Sequence, residues 1–220
     1  MTRTFITATG TAIGKTLVTS LLARQLRAQG RTVRALKPVI SGFSDATLDQ
    51  SDTAELLRAM DLPVTPQTIQ EISPWRFEAP LSPDMAALRE GRTIDFRQLI
   101  DFCEGPADAE HTLIEGVGGA FVPLDDDHTV ADWIAALRAP ALLVCGSYLG
   151  TLSHTIATLE ALAQRRVRVT GIILSESPES PVPLAETQAT LERFVGPIPV
   201  LGLPRLTPRT DTPDFTALVS

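Results

Sequence analysis

Apolar residues in this chain come in short unbroken runs, separated by longer stretches in which they recur every three or four positions. The first run, around Phe5 and Ile6, reads as a buried strand, and Leu17 to Ala23 has the length and apolar content of a helix packed on a sheet, ended by Gly30. Residues 32 to 40 read as a second strand that Pro38 helps to terminate. Ser51-Asp52-Thr53-Ala54-Glu55 opens a short helix, with Asp52 and Glu55 at capping-box spacing and Leu56, Leu57 and Met60 on its apolar side. Pro63, Pro66, Pro74, Pro80 and Pro83 predict an ordered loop with little regular structure over residues 62 to 84, with Trp75 and Phe77 as a packing cluster beneath it.

Beyond that loop a helix is predicted from Ser82-Pro83 to Gly91 and another from Asp95 to Cys103. His111 to Glu115 is a short apolar strand, Thr129 to Leu137 a helix with Trp133 and Ile134 inward, and Ala141 to Cys145 a wholly apolar strand such as a parallel sheet buries on both faces. A turn at 146 to 150, a helix at 151 to 163, a strand at 167 to 174, a Pro/Ser loop at 177 to 183, a helix at 184 to 194 and a short strand at Val200-Leu201 precede a proline-punctuated tail. Strands and helices that alternate in this way predict an α/β fold with a mostly parallel twisted sheet and helices on both faces. Neither repeat nor linker interrupts the pattern, so residues 1–220 are expected to form one domain.

Between the first strand and the first helix lies Thr9-Gly10-Thr11-Ala12-Ile13-Gly14-Lys15-Thr16. Strand, small-residue loop, Gly-Lys-Thr and helix form the context of a phosphate-binding loop. A polyphosphate lies against bare backbone N–H groups at a helix start, where orphan donors and the positive end of the dipole converge. Lys15 supplies a mobile charge for the terminal phosphates, and the Thr16 hydroxyl can ligate Mg²⁺. The loop is atypical, because the position five before Gly14 is Thr9 and the nearest glycine, Gly10, is one residue too close.

Three further residues have two readings each. Lys37 falls at a strand end, the edge of an open α/β sheet where ligands bind, with Ser41-Gly42 following; the alternative is a solvated strand-end lysine. Glu115 ends an apolar strand ahead of Gly116, Gly118 and Gly119 and resembles a Walker-B edge, where a carboxylate reaches Mg²⁺ and glycines admit phosphate close to backbone; the alternative is a tight turn with an exposed glutamate. Asp52 reads locally as a helix cap.

Charge and composition narrow the classes. A net charge of -7, a pI near 5.0 and scattered arginines argue against a nucleic-acid or anionic-membrane surface. The N-terminal residues lack a signal-peptide apolar region and no run approaches the ~20 residues of a membrane span, which predicts a cytoplasmic protein. Cys103 and Cys145 fit buried reduced thiols, and His111, His128 and His154 are too dispersed for a zinc cluster.

Taken together, these stretches resemble the dethiobiotin synthases, P-loop carboligases of biotin synthesis, over nearly the whole chain. The family's G-T-D-T-x-V-G-K-T stands here as Ala8 to Thr16, its K-P-x-x-S-G as Lys37 to Gly42, its S-D as Ser51-Asp52 and its E-G-A-G-G as Glu115 to Gly119. Ala79 to Pro83 is similar to its P-x-S-P segment and Leu149 to His154 to its L-G-x-x-N-H.

The resemblance implies a P-loop NTPase fold with Thr16, Asp52 and Glu115 around Mg²⁺, which moves Asp52 from cap to metal shell. It implies ATP contacts from Ala12, Ile13, Gly14, Lys15, Thr16, Leu17, Asp52, Glu115, Gly116, Val117, Gly118, Ser175 and Pro204, and catalytic roles for Lys15, Lys37 and Thr11. The diamine substrate would face Lys37 and Ser41. Its far carboxylate would meet Gly150, Thr151, Leu152 and Ser153, donated across the two-fold axis of a homodimer. Locally, these residues open a helix whose free N–H groups form an anion cradle. Ala8, Gly10 and Ala12 depart from the family's loop, and Ser175 stands in place of an asparagine that reads adenine, so selectivity for ATP is expected to be slight.

The implied reaction joins 7,8-diaminononanoate and CO₂ at the expense of ATP, through a carbamate and a carbamic-phosphoric anhydride, to give a cyclic urea. The rival is a ParA/MinD-like switch ATPase, whose loop carries an early lysine; residues 8 to 13 contain none.

Overall fold

In the computed structural model, which describes residues 2–105, 108–207 and 210–219, eight strands and eight α-helices follow one another among the described residues. They are β1 (Thr2–Ala8), α1 (Lys15–Ala28), β2 (Val33–Leu36), β3 (Val39–Ser41), α2 (Asp52–Ala59), α3 (Pro66–Ile72), β4 (Trp75–Phe77) and α4 (Pro83–Arg89) in the first half. After them come α5 (Phe96–Glu104), β5 (His111–Glu115), α6 (Val130–Leu137), β6 (Ala141–Gly146), α7 (Thr151–Gln164), β7 (Val169–Ser175), α8 (Leu184–Phe194) and β8 (Val200–Leu203).

Six strands form one sheet in the order β2-β5-β1-β6-β7-β8, every pairing parallel. Their C-terminal ends therefore share one edge. The chain leaves β1 for β2 on one side and returns at β6 on the other, and a crevice at such a switch point is where open α/β sheets take ligands. β6 is buried along its whole length because both of its faces are covered. Alternate residues divide between two cores: Leu142 and Val144 join the larger one with Phe5, Leu22 and Trp133, whereas Leu143 and Cys145 pack with Leu191 and Val195 toward α8. Phe5 meets Trp133 edge to face at 4.8 Å, which seats α6 against β1.

Both cysteines are buried and free, and burial pushes the Cys103 thiol up to about 12 and the Cys145 thiol to about 11. Among the described residues no helix is long and apolar enough to cross a membrane.

Three expectations are corrected. The strand at 32 to 40 breaks at Lys37-Pro38, because Pro38 has no N–H to continue a ladder; β3 leaves the main sheet and pairs in parallel with β4. The stretch 62 to 84 is not irregular: Thr65 and Thr68 form a capping box with Pro66 in the first turn, so a proline that reads as a breaker instead starts α3. The cap of α2 is Ser51, whose Oγ accepts the Ala54 N–H at 3.1 Å, which leaves the Asp52 carboxylate free for other work. Trp75 does pack, edge to face with Phe102 at 5.7 Å.

Candidate active site

The phosphate-binding loop follows directly from the sheet. Thr9 N–H bonds the Val144 carbonyl at 3.0 Å and Ala8 accepts from Ala120, so the loop is tied to both neighbouring strand ends before it turns into α1. Gly14, the N-cap, has φ 98° and no side-chain cap, which leaves the first-turn N–H groups of α1 pointing into the crevice. A Cβ on Gly14 would also lie 2.9 Å from Ser175 Oγ, so glycine is required there by both conformation and space. Ala12 adopts φ 57° without being glycine, a local strain at the position where the sequence departs from the family's loop.

Lys15 and Thr16 of α1, Lys37 at the break between β2 and β3, Asp52 of α2 and Glu115 of β5 converge. Glu115 is fully buried; its Oε1 accepts from Lys37 Nζ at 2.6 Å and from Thr16 Oγ1 at 2.7 Å. Lys37 Nζ also lies 3.0 Å from Asp52 Oδ2 and 3.4 Å from the Gly116 carbonyl. Burial works against the charged form of Lys37, but the Glu115 and Asp52 carboxylates outweigh it and hold its pKa above the ordinary lysine value. Burial likewise opposes ionisation of Asp52, and Lys37 with the Thr16 hydroxyl more than compensates, so its pKa is lowered. Lys15 has no such partner within reach. Its Nζ donates to the Gly10 carbonyl at 3.4 Å, and burial with the nearby Lys37 charge lowers its pKa to about 8.

Lys37 is held at its backbone as firmly as at its tip. Its N–H bonds the Ile72 carbonyl at 3.1 Å, and Ser73 Oγ, itself paired with Thr53 Oγ1 at 2.8 Å, donates to its carbonyl at 2.6 Å. Thr53 and Ser73 are positioning residues that sequence reading missed. Ser73 is 36 residues from Lys37, and no local pattern marks it.

A cleft of about 600 Å³ opens beside this cluster, lined by Thr11, Lys15, Thr16, Lys37, Ser41, Asp52 and Gly118 among others. Pro80 to Pro83 form its far wall, and Ser82 Oγ there is buried with no protein partner. A second cleft of about 270 Å³ adjoins it through Ala12, Gly14 and Leu17, and Ile13, Ser175 and Pro204 lie along it. Most sequence-predicted residues thus fall in one connected crevice at the C-terminal edge of the sheet. Gly116 serves packing: a Cβ there would meet the Phe5 ring at 2.9 Å. Gly150 to Ser153 line neither cleft of their own chain. Gly150 caps α7 in a left-handed conformation, φ 101°, and Ser153 is exposed.

Three comparisons bear on this geometry. The family described as an AAA domain matches residues 2–211. The chain is 48% identical over 203 residues to the ATP-dependent dethiobiotin synthetase BioD of Methylobacterium nodulans, covering 89% of this chain and 90% of that protein. It is 46% identical over 222 residues to the protein of the same name from Acidiphilium cryptum, covering 99% and 96%. Among solved structures it is similar to the septum site-determining protein MinD of Pyrococcus horikoshii, with TM-score 0.57, 18% identity and coverage of 93% of this chain and 82% of that one. It is also similar to a ParA family ATPase from Chlorobium tepidum, with TM-score 0.55, 15% identity and coverage of 94% and 86%. At those identities the structural likeness reports the P-loop fold alone.

Proposed function

We propose, from the premise that the chain belongs to the ATP-dependent dethiobiotin synthetases, that the crevice described above is where it closes the ureido ring of dethiobiotin. The enzyme is an ATP-dependent cyclo-ligase of biotin biosynthesis. The observation that carries the site assignment is the buried ammonium of Lys37, fixed between Glu115 and Asp52 at the mouth of a phosphate-binding loop and facing a cleft lined by Ser41. One amine of 7,8-diaminononanoate takes up CO₂ and loses a proton to become a carbamate. A carbamate oxygen then displaces ADP from the γ-phosphate, and the second amine attacks the mixed anhydride, expelling phosphate as the ring closes.

This chain's residues act on charge and position. The α1 N-terminus and Lys15 hold the terminal phosphates, while Thr11 and Lys37 meet the oxygens on which charge develops during transfer. Ser41 orients the diamine, and the apolar walls at Ile40, Leu81 and Val122 keep water from the anhydride. The experiment is a product assay. Urea formation should require ATP, bicarbonate and the diamine together; ATP hydrolysis at the same rate without the diamine would favour the switch-ATPase reading instead.

Mg²⁺ fits the residues present. Thr16 Oγ1, Asp52 and Glu115 are hard oxygen donors converging from separate elements, and Glu115 Oε2 is buried without any protein partner. When bound, the ion supplies neutralisation of charge on the β- and γ-phosphates. Lys37 already places a cation among these same oxygens, so it competes for them until the phosphates draw it away. Mn²⁺ binding to the nucleotide-free chain, read by the electron resonance of the free ion, is accordingly expected to tighten by about tenfold in Lys37→Met. Unchanged or weaker binding in that variant would show that the ammonium and the metal occupy different places.

Nucleobase recognition rests on little. In the 270 Å³ cleft Glu176 is engaged by the Arg205 N–H at 2.9 Å and Ser177 by Ser147, and no amide side chain lines the cleft among the described residues. The Ser175 hydroxyl offers a single contact, so discrimination among ATP, GTP and CTP is expected to amount to about 1 kcal/mol, less than tenfold in kcat/KM. A hundredfold preference for ATP would assign the reading to backbone groups around Pro204.

The working unit in this proposal is a homodimer with residues 1–220 as one domain in each subunit. Leu149 is 86% exposed beside the α7 cradle, and Met85 and Leu88 of α4 are 56% and 78% exposed behind the cleft wall, apolar surface that a second copy would cover. The buried free thiols accord with a cytoplasmic chain.

A further inference from the structure

At the opposite edge of the sheet from the phosphate loop, the ends of α6 and α7 enclose a cleft of about 410 Å³. Ile134, Pro140 and Val167 form its apolar wall, and Arg138, Arg165, Arg166 and Arg168 line it as well. Four guanidinium groups around one small cleft are unexpected in a chain of net charge -7. Among the described residues one of the four has an ion pair, Arg165 with Asp132 at 2.9 Å.

A basic residue at the C-cap of a helix complements the helix dipole, and that accounts for Arg138 after α6 and Arg165 after α7 as charges. It does not account for the rest, nor for their backbone. Arg138 and Arg166 sit in the left-handed region, φ 50° and 58°, immediately after α6 and just after α7. Where α1, α4 and α8 stop, the same conformation is taken by Gly30, Gly91 and Gly196, which adopt it without steric conflict. Asp61, the side-chain-bearing residue that follows α2 in this conformation, has a partner in Arg27 at 2.9 Å. Arg138 and Arg166 have none among the described residues, and both stand at the one cleft. Strain of this kind persists where the side chain has work to do.

We propose that this cleft is a binding site for a small organic anion carrying two or more negative charges, a phosphate ester or polycarboxylate, whose apolar body lies on Pro140 and Val167. The arginine forks supply paired N–H donors to its oxygens, and a volume of about 410 Å³ falls within the range of small-molecule pockets. The site is separate from the reaction crevice, which uses the other edge of the sheet.

Inorganic pyrophosphate titrated calorimetrically into the wild-type chain without metal is expected to bind two sites. Lys15→Ala should remove one. Arg166→Gln with Arg168→Gln should weaken the other at least tenfold and leave the first intact. Citrate, used as a second probe, separates the sources: binding of pyrophosphate alone assigns a phosphate ester, binding of citrate alone a polycarboxylate, and binding of both an anion chosen by charge. Arg138→Gly and Arg166→Gly should leave the thermal midpoint unchanged or raise it, since glycine relieves the backbone. Failure of both pyrophosphate and citrate to bind the wild type outside the phosphate loop, equal affinity in the arginine variants, or a lowered midpoint in the glycine variants would overturn the proposal, the last by making the arginines part of the fold.

Discussion

Lys15→Ala is expected to abolish measurable turnover and weaken ATP binding, whereas Lys37→Ala should lower kcat by about 10²–10³ with ATP affinity changed far less. The difference follows from where each ammonium stands. Lys15 lies inside the phosphate loop with only a carbonyl for a partner, so its charge is available to the ground-state phosphates; removing it leaves their charge uncompensated in a buried site. Lys37 spends its charge on Glu115 and Asp52 until a transferring phosphoryl group competes for it, so its loss is felt chiefly in the transition state. Breaking a buried pair also costs about 3–5 kcal/mol of stability when the remaining charge has no partner, and Glu115 is fully buried. Turnover must therefore be compared at a temperature where the variant's unfolding transition shows it folded. Lys37→Ala turning over within about twofold of wild type under those conditions would remove Lys37 from the mechanism.

How much of this was legible in the sequence depended on whether the signal was local. α8 occupies the residues that its apolar spacing predicts, and β6 extends its predicted run by one residue, because burial on one or two faces writes a pattern into the element itself. β4, and the separation of β3 from the strand predicted over 32 to 40, were hidden for the opposite reason: each strand is three residues long, and their pairing depends on segments 36 residues apart, Val39 with Trp75. The cap of α2 shows the same limit at one residue's resolution. Ser51 and Asp52 are both good capping residues, and what assigns the hydroxyl to the cap and the carboxylate to Lys37 is a lysine fifteen positions upstream, at the break between β2 and β3. Glu115 read correctly as the end of an apolar strand, but its contact with Lys37 spans 78 residues and came only from the parallel order of β2, β5 and β1. The chemistry of the site was written in residue types; its wiring was written in topology.

Equal amounts of Lys37→Ala and Ser153→Glu, each nearly inactive alone, are expected to recover about a quarter of wild-type activity after subunit exchange. The motivation is that Gly150 to Ser153 form a helix start with no side-chain cap, on a 14-residue helix, yet lie on neither cleft of their own chain. Such a start suits an anion, and the substrate's far carboxylate is one. If a partner subunit brings this turn over the cleft, each active site takes Lys37 from one chain and Ser153 from the other. Random exchange makes about half of the dimers mixed, and in every mixed dimer one site carries both lesions while the other carries neither, so half of one half survives. Ser153→Glu acts by placing a carboxylate where the substrate's own must sit, and its effect alone should be a raised KM for the diamine with ATP affinity unchanged. Ser153 is exposed, so the substitution leaves the core untouched, and its thermal midpoint should match wild type. A mixture shown by mass spectrometry to contain mixed dimers, but with no recovered activity, would place the entire site within one chain.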